Sequence, residues 1–109
     1  FKTICETLGA YSKDEGKSIV FTEYGWRSAP DILKTPWVSD KITKVDLDIQ
    51  SRLYQEFFAS VWQENWFKGG FIWKWFHNYE DEWIGGKNNS RFTPQKKPAE
   101  SVIKEGYSH

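Results

Sequence analysis

An α/β fold built on parallel strands is the fold class this sequence predicts, and three observations carry that expectation. Helical spacings of apolar residues alternate with short β-branched and aromatic runs in the order helix, strand, loop, helix, strand, loop, helix, an order that gives parallel strands joined by right-handed crossovers. The first strand-like run is apolar on both alternating faces until its end, as a strand covered by helices is. Both long connections follow strands, on the side where barrels and open α/β sheets bind ligands.

Residues 1–15 place Phe1, Ile4, Cys5, Leu8 and Tyr11 on one helical face, and Gly16 supplies a C-cap. Residues 18–24, β-branched and aromatic, read as the first strand, which Gly25 ends. Residues 26–45 mix Ser28, Pro30, Pro36 and Ser39 with charges and read as a long loop, a kind that is usually functional or disordered. From Asp46 to about Glu64, Ile49, Leu53, Phe57 and Val61 recur every four residues with Tyr54, Phe58 and Trp62 beside them, which predicts a broad-faced amphipathic helix capped by Asp46 or Asp48. Gly69-Gly70 then leads into a second strand at 71–76, and residues 77–95 form a second long loop. Pro98 opens a last helix, 98–107, whose inner face is Ala99, Val102, Ile103 and Tyr107.

Two parallel strands and three helices cannot close a barrel, which takes about 250 residues, and a sheet of two strands is marginal alone. The 109-residue chain opens Phe1-Lys2-Thr3 and contains no methionine. The expectation is therefore a single segment, 1–109, of a larger domain whose upstream part is missing, with open sheet edges that invite self-association.

Composition excludes several classes. Fifteen basic and fifteen acidic residues balance to zero net charge, against a nucleic-acid or anionic-membrane partner. The single cysteine, Cys5, rules out an internal disulfide and a cysteine-based zinc cluster, and reads as a small apolar residue on its helix. No apolar run is long enough to span a membrane, and the first residues lack the layout of a signal peptide, so no compartment is assigned. No clustered His or Asp and no glycine-rich phosphate loop indicate a metal or cofactor. Seven tryptophans in a chain of mean hydropathy −0.70 are more indoles than a core this small needs, so some belong to a binding surface.

Glu23 is the first candidate for chemistry in this pattern. It ends an otherwise apolar strand, on the alternating face of Ile19 and Phe21, with a glycine two residues on. A carboxylate there is costly unless paired or used, and strand-end residues on that side of a barrel are catalytic. The plainer alternative is an ion pair with nearby Arg27.

The run Phe21-Thr22-Glu23-Tyr24-Gly25-Trp26-Arg27-Ser28, then Pro36-Trp37, Asp46 with Gln50, Tyr54, Gly69-Gly70-Phe71-Ile72-Trp73-Lys74-Trp75-Phe76, Phe92-Thr93-Pro94-Gln95 and Lys97-Pro98-Ala99-Glu100 resembles glycoside hydrolase family 113. The resemblance implies the C-terminal part of a (β/α)8 TIM barrel from the clan of retaining glycosidases, acting mainly on β-1,4-mannan. It matches residues 18–24 to strand seven and 71–76 to strand eight, with helices six, seven and eight around them. Glu23 then takes the nucleophile's place. Retaining enzymes need a second carboxylate about 5–5.5 Å away. The clan carries it at the end of strand four, upstream of Phe1, so the isolated chain is expected to be inactive.

By the same resemblance Trp73 and Trp75 are candidates for the floor beneath the sugar, since an indole face suits the flat C–H array of a pyranose. Trp26 and Trp37, beside the first long loop, could line outer subsites or pack that loop, and His77 could hydrogen-bond a sugar or Glu23 or stand in water as a loop histidine. Trp62 and Trp66 read as core, and Glu80, Asp81 and Glu82 as a solvated turn. Lys74 falls on the face that helices should cover. The implied partners are a polysaccharide or oligosaccharide substrate and the missing N-terminal part of the barrel. The alternative from another class is a non-catalytic carbohydrate-binding domain using exposed tryptophans; such modules are mostly β-sandwiches with strands about every 8–12 residues, a pattern absent here.

Overall fold

The structure, a computed structural model, describes residues 1–36, 44–81, 84–86 and 88–108. Helix α1 spans Lys2–Glu15, strand β1 Ile19–Tyr24, helix α2 Leu47–Ala59, strand β2 Phe67–Ile72 and helix α3 Pro98–Tyr107, with a 3-10 turn at Val61–Gln63. Strands β1 and β2 pair in parallel, as the alternation of elements requires.

Local chemistry sets several boundaries. Gly16 closes α1 at φ 64°, a left-handed conformation that glycine adopts without steric cost, and its N–H bonds the carbonyl of Ser12. Asp46 caps α2, its carboxylate accepting from the Ile49 N–H at 3.1 Å. Pro98 occupies the first turn of α3, where its missing N–H costs nothing.

Two expectations are corrected. Helix α2 ends at Ala59 rather than near Glu64: the Ser60 hydroxyl bonds back to the Glu56 carbonyl at 2.6 Å, and the chain tightens into the 3-10 turn. That turn delivers the Trp62 ring to Phe67 at 5.3 Å and to Tyr107 at 4.8 Å. Strand β2 runs 67–72, not 71–76. Its register pairs Ile19 with Phe67, Phe21 with Gly70 and Tyr24 with Ile72, so Gly69-Gly70 lies inside the strand instead of before it. Gly70 fits there because a Cβ would meet the Tyr24 ring at 3.0 Å and Phe21 Cβ at 3.2 Å, while Gly69 sits at φ 130° where the pairing slips.

Helices α2 and α3 cover one face of the sheet. Phe57 of α2, 1% exposed, is the hub of the core. Its ring packs against Phe1, Phe21, Trp26, Phe58, Trp62 and Phe67 and stacks on Tyr24 at 4.4 Å and 22°. Trp62 and Trp66 also belong to this core, as expected. The sheet's other face is open among the described residues: Val20 is 53% exposed and Phe71 68%. The two-sided burial expected of the first strand is therefore met on one side only.

Candidate functional site

The C-terminal end of the sheet begins with the chain's grip on Tyr24. Ile19, Phe21 and Tyr24 all pack toward the helices. Regular alternation cannot put residues 21 and 24 on one face, so the pairing slips between them. Glu23 is thereby released from the face of Ile19 and Phe21, where the alternation had put it, and is exposed. Among the described residues it has no hydrogen-bond or ion-pair partner. Arg27, the alternative partner, turns inward instead: it is fully buried, bonds Asp31 at 3.2 Å and donates to the Thr35 carbonyl at 3.4 Å.

The neighbouring strand brings Trp73 to the same end. Its N–H donates to the Tyr24 carbonyl at 2.8 Å, continuing the ladder one step past β2. A Cβ at Gly25 would lie 3.2 Å from the buried Tyr54 hydroxyl, a tight contact, and in ordinary contact at 3.4 Å with Cβ and O of Trp73. Trp73 stays 40% exposed. Lys74 follows at φ 72°, which breaks the strand alternation, and its ammonium rests over the rings of Trp73 at 5.2 Å and Phe76 at 6.0 Å. This resolves the lysine's position: it is held by a cation–π contact rather than buried under helices.

The other aromatic candidates separate. Trp75 does not share a face with Trp73; it lines a groove of about 420 Å³ with Ile72, Ile103, Tyr107, Glu100 and Lys104, against α3. Trp26 is half-buried, with its ring 5.0 Å from Tyr54, 5.6 Å from Phe1 and 5.7 Å from Phe57, a packing position. His77 is exposed just beyond Phe76. Trp37, Glu82 and Trp83 lie outside the described residues.

Buried polar residues tie the two site loops together. Gln50 is fully buried on α2 and its amide N–H groups reach the carbonyls of Trp26 and Phe92, each at 3.0 Å. Lys97 donates to Ser28 Oγ at 3.0 Å and to the Arg91 carbonyl at 3.1 Å, and Ser28 Oγ donates to the Asn89 carbonyl at 2.7 Å. Gln95 brackets the backbone of Phe76, accepting from its N–H at 2.9 Å and donating to its carbonyl at 2.8 Å. The residue-by-residue sequence reading gave none of these a role. For Gln50 a signal existed, because it lies one turn before Tyr54 on the apolar stripe of α2.

Tyrosine hydroxyls at this end are held neutral. Burial, reinforced by the Tyr107 hydroxyl at 2.6 Å, pushes the Tyr24 phenol far above its ordinary range, and burial does the same to Tyr54.

Fold and site together define a parallel β/α unit of the kind from which (β/α)8 barrels are built. The chain belongs to glycoside hydrolase family 113, whose family model matches residues 1–97. It is similar to a β-mannanase of that family, AaManA from Alicyclobacillus acidocaldarius in complex with ManMIm, at 28% identity and a TM-score of 0.80 over 97% of this chain. A family 113 β-1,4-mannanase structure matches at 26% identity and a TM-score of 0.78 over 94% of the chain. A complex of a family 113 β-1,4-mannanase, at 24% identity and a TM-score of 0.82 over 98%, shares the fold. The chain spans only about a third of each, 34%, 33% and 34% respectively. No curated protein is significantly similar in sequence.

Proposed function

We propose that this chain is the C-terminal, nucleophile-bearing portion of a retaining glycoside hydrolase acting on β-1,4-mannan or a related β-linked polysaccharide. In this reading β1 and β2 are strands seven and eight of the barrel, α1, α2 and α3 are helices six, seven and eight, and the open sheet face looks into the barrel. One observation carries the proposal: Glu23 stands exposed and unpaired among the described residues, at the C-terminal end of a helix-backed parallel strand, with Trp73 joined to the next residue across the ladder.

A Glu23 carboxylate oxygen attacks the anomeric carbon as the glycosidic bond breaks, and the departing oxygen takes a proton from a second carboxylic acid. That second group then removes a proton from water, whose attack releases the sugar with its configuration kept. Trp73 offers an indole face to the sugar being cleaved, and the exposed His77 is a further contact along the chain's rim. The acid/base comes from outside these 109 residues, so the chain alone turns over no substrate.

The anomer first released by the barrel-length enzyme from a manno-oligosaccharide, followed by proton NMR, tests this. The β-anomer is expected before mutarotation; initial release of the α-anomer would remove the nucleophile role from Glu23.

A further inference from the structure

We propose that Gln95 is a positioning residue that acts on the site through Trp73; this rests on the reading of Glu23 and Trp73 as two sides of one glycosidase site. Residues 73–76 leave the sheet, beginning with the Trp73 N–H on the Tyr24 carbonyl. Lys74 then takes a left-handed φ of 72°, a conformation that a side-chain-bearing residue keeps only when its surroundings hold it. At the far end of the segment, Gln95 holds Phe76 by both backbone groups, at 2.9 Å and 2.8 Å, as a neighbouring strand would. A carboxamide supplies an acceptor and a donor from one terminal group, and so matches both.

The mount is rigid. Gln95 is 3% exposed, and its own carbonyl accepts from the Gly86 N–H at 2.9 Å. Between the two anchors the Lys74 ammonium lies against both the Trp73 and Phe76 rings. The place of Phe76, set by Gln95, thus reaches the exposed indole of Trp73, whose backbone N–H is bonded to the residue after Glu23.

Gln95→Met keeps the volume and deletes both hydrogen bonds. In the barrel-length enzyme on mannohexaose it is expected to lower kcat about 10- to 100-fold, the scale of a misplaced group near the reacting bond, with KM changed by less than about threefold. Trp73→Ala has a loss of its own, and adding Gln95→Met to it lowers kcat by less than about twofold more, because no indole remains to be placed. A residue that only stabilises the fold multiplies the two losses. Wild-type kcat in Gln95→Met, or full multiplication with Trp73→Ala, overturns the proposal. If Gln95→Met does not fold, Gln95→Glu, which keeps the acceptor for the Phe76 N–H, enters the same cycle with the same outcomes. Failure of both variants to fold makes Gln95 a residue of the fold alone and also overturns the proposal. Glu23→Gln separates this from the reading beneath it: full turnover there sinks the hydrolase assignment, whereas lost turnover with a multiplicative Gln95 cycle sinks only the role of Gln95.

Discussion

The backbone N–H of Trp73 bonds the carbonyl of Tyr24 at 2.8 Å, so the residue after Glu23 is tied to the segment that follows the other strand. One hydrogen bond thereby joins the carboxylate's strand to the indole's. Beside this bond, a Cβ at Gly25 would crowd the buried Tyr54 hydroxyl at 3.2 Å.

Gly25→Ala tests that fit. The added methyl would press on the buried Tyr54 hydroxyl at 3.2 Å, which must give slightly, and would make ordinary contact with Trp73 Cβ and O at 3.4 Å. A destabilisation of about 1–3 kcal/mol is expected, the usual cost of overpacking, read as a lowered urea midpoint. An unchanged midpoint would show that the Tyr54 hydroxyl gives way at no cost.

Phe57→Ala removes the ring on which the core converges. A loss of about 3–5 kcal/mol is expected, which leaves a small domain largely unfolded and abolishes its near-UV circular dichroism. A loss under about 1 kcal/mol would mean that the surrounding rings collapse into the cavity at little cost.

Alkaline stability follows from the two buried phenols. Both are pushed above their ordinary range, Tyr24 by burial and then by Tyr107, and Tyr54 by burial. In the unfolded chain they ionise near pH 10, at about the free value, while in the fold they stay neutral to higher pH. Their contribution is therefore level below about pH 10 and is lost as pH rises above it toward the folded values. The urea midpoint should be flat from about pH 7 to 9 and fall beyond about pH 10, as tyrosinate absorbance grows with unfolding. Parallel midpoints up to about pH 11 would contradict the burial of these hydroxyls.

What could be read from sequence was mainly what is decided locally. The Gly16 cap, the Asp46 cap and the whole of α3, 98–107, depend on residues within a turn or two, and all were expected at those positions. The register of β2 depends instead on Tyr24 and Phe21, far away in sequence, which need a partner strand without side chains beside them; Gly69-Gly70 therefore looked like a strand's approach. Trp73 and Trp75 seemed to share a face because alternation was carried past Ile72, where the left-handed Lys74 ends it. Glu23 was singled out by its place at a strand end, which the structure keeps, yet its lack of an ion pair was not readable, since Arg27 could reach either Glu23 or Asp31. Burial decides that choice: the guanidinium goes inward to Asp31.

The most direct measurement is covalent trapping in the barrel-length enzyme. A 2-deoxy-2-fluoro-β-mannosyl fluoride slows both steps of a retaining mechanism, while its good leaving group lets the glycosyl-enzyme accumulate. Proteolysis and mass spectrometry should place the sugar on the peptide containing Glu23, one label per active site lost. A label on another carboxylate, Glu80 for instance, or continued turnover without any adduct, would contradict the assignment of Glu23 as nucleophile.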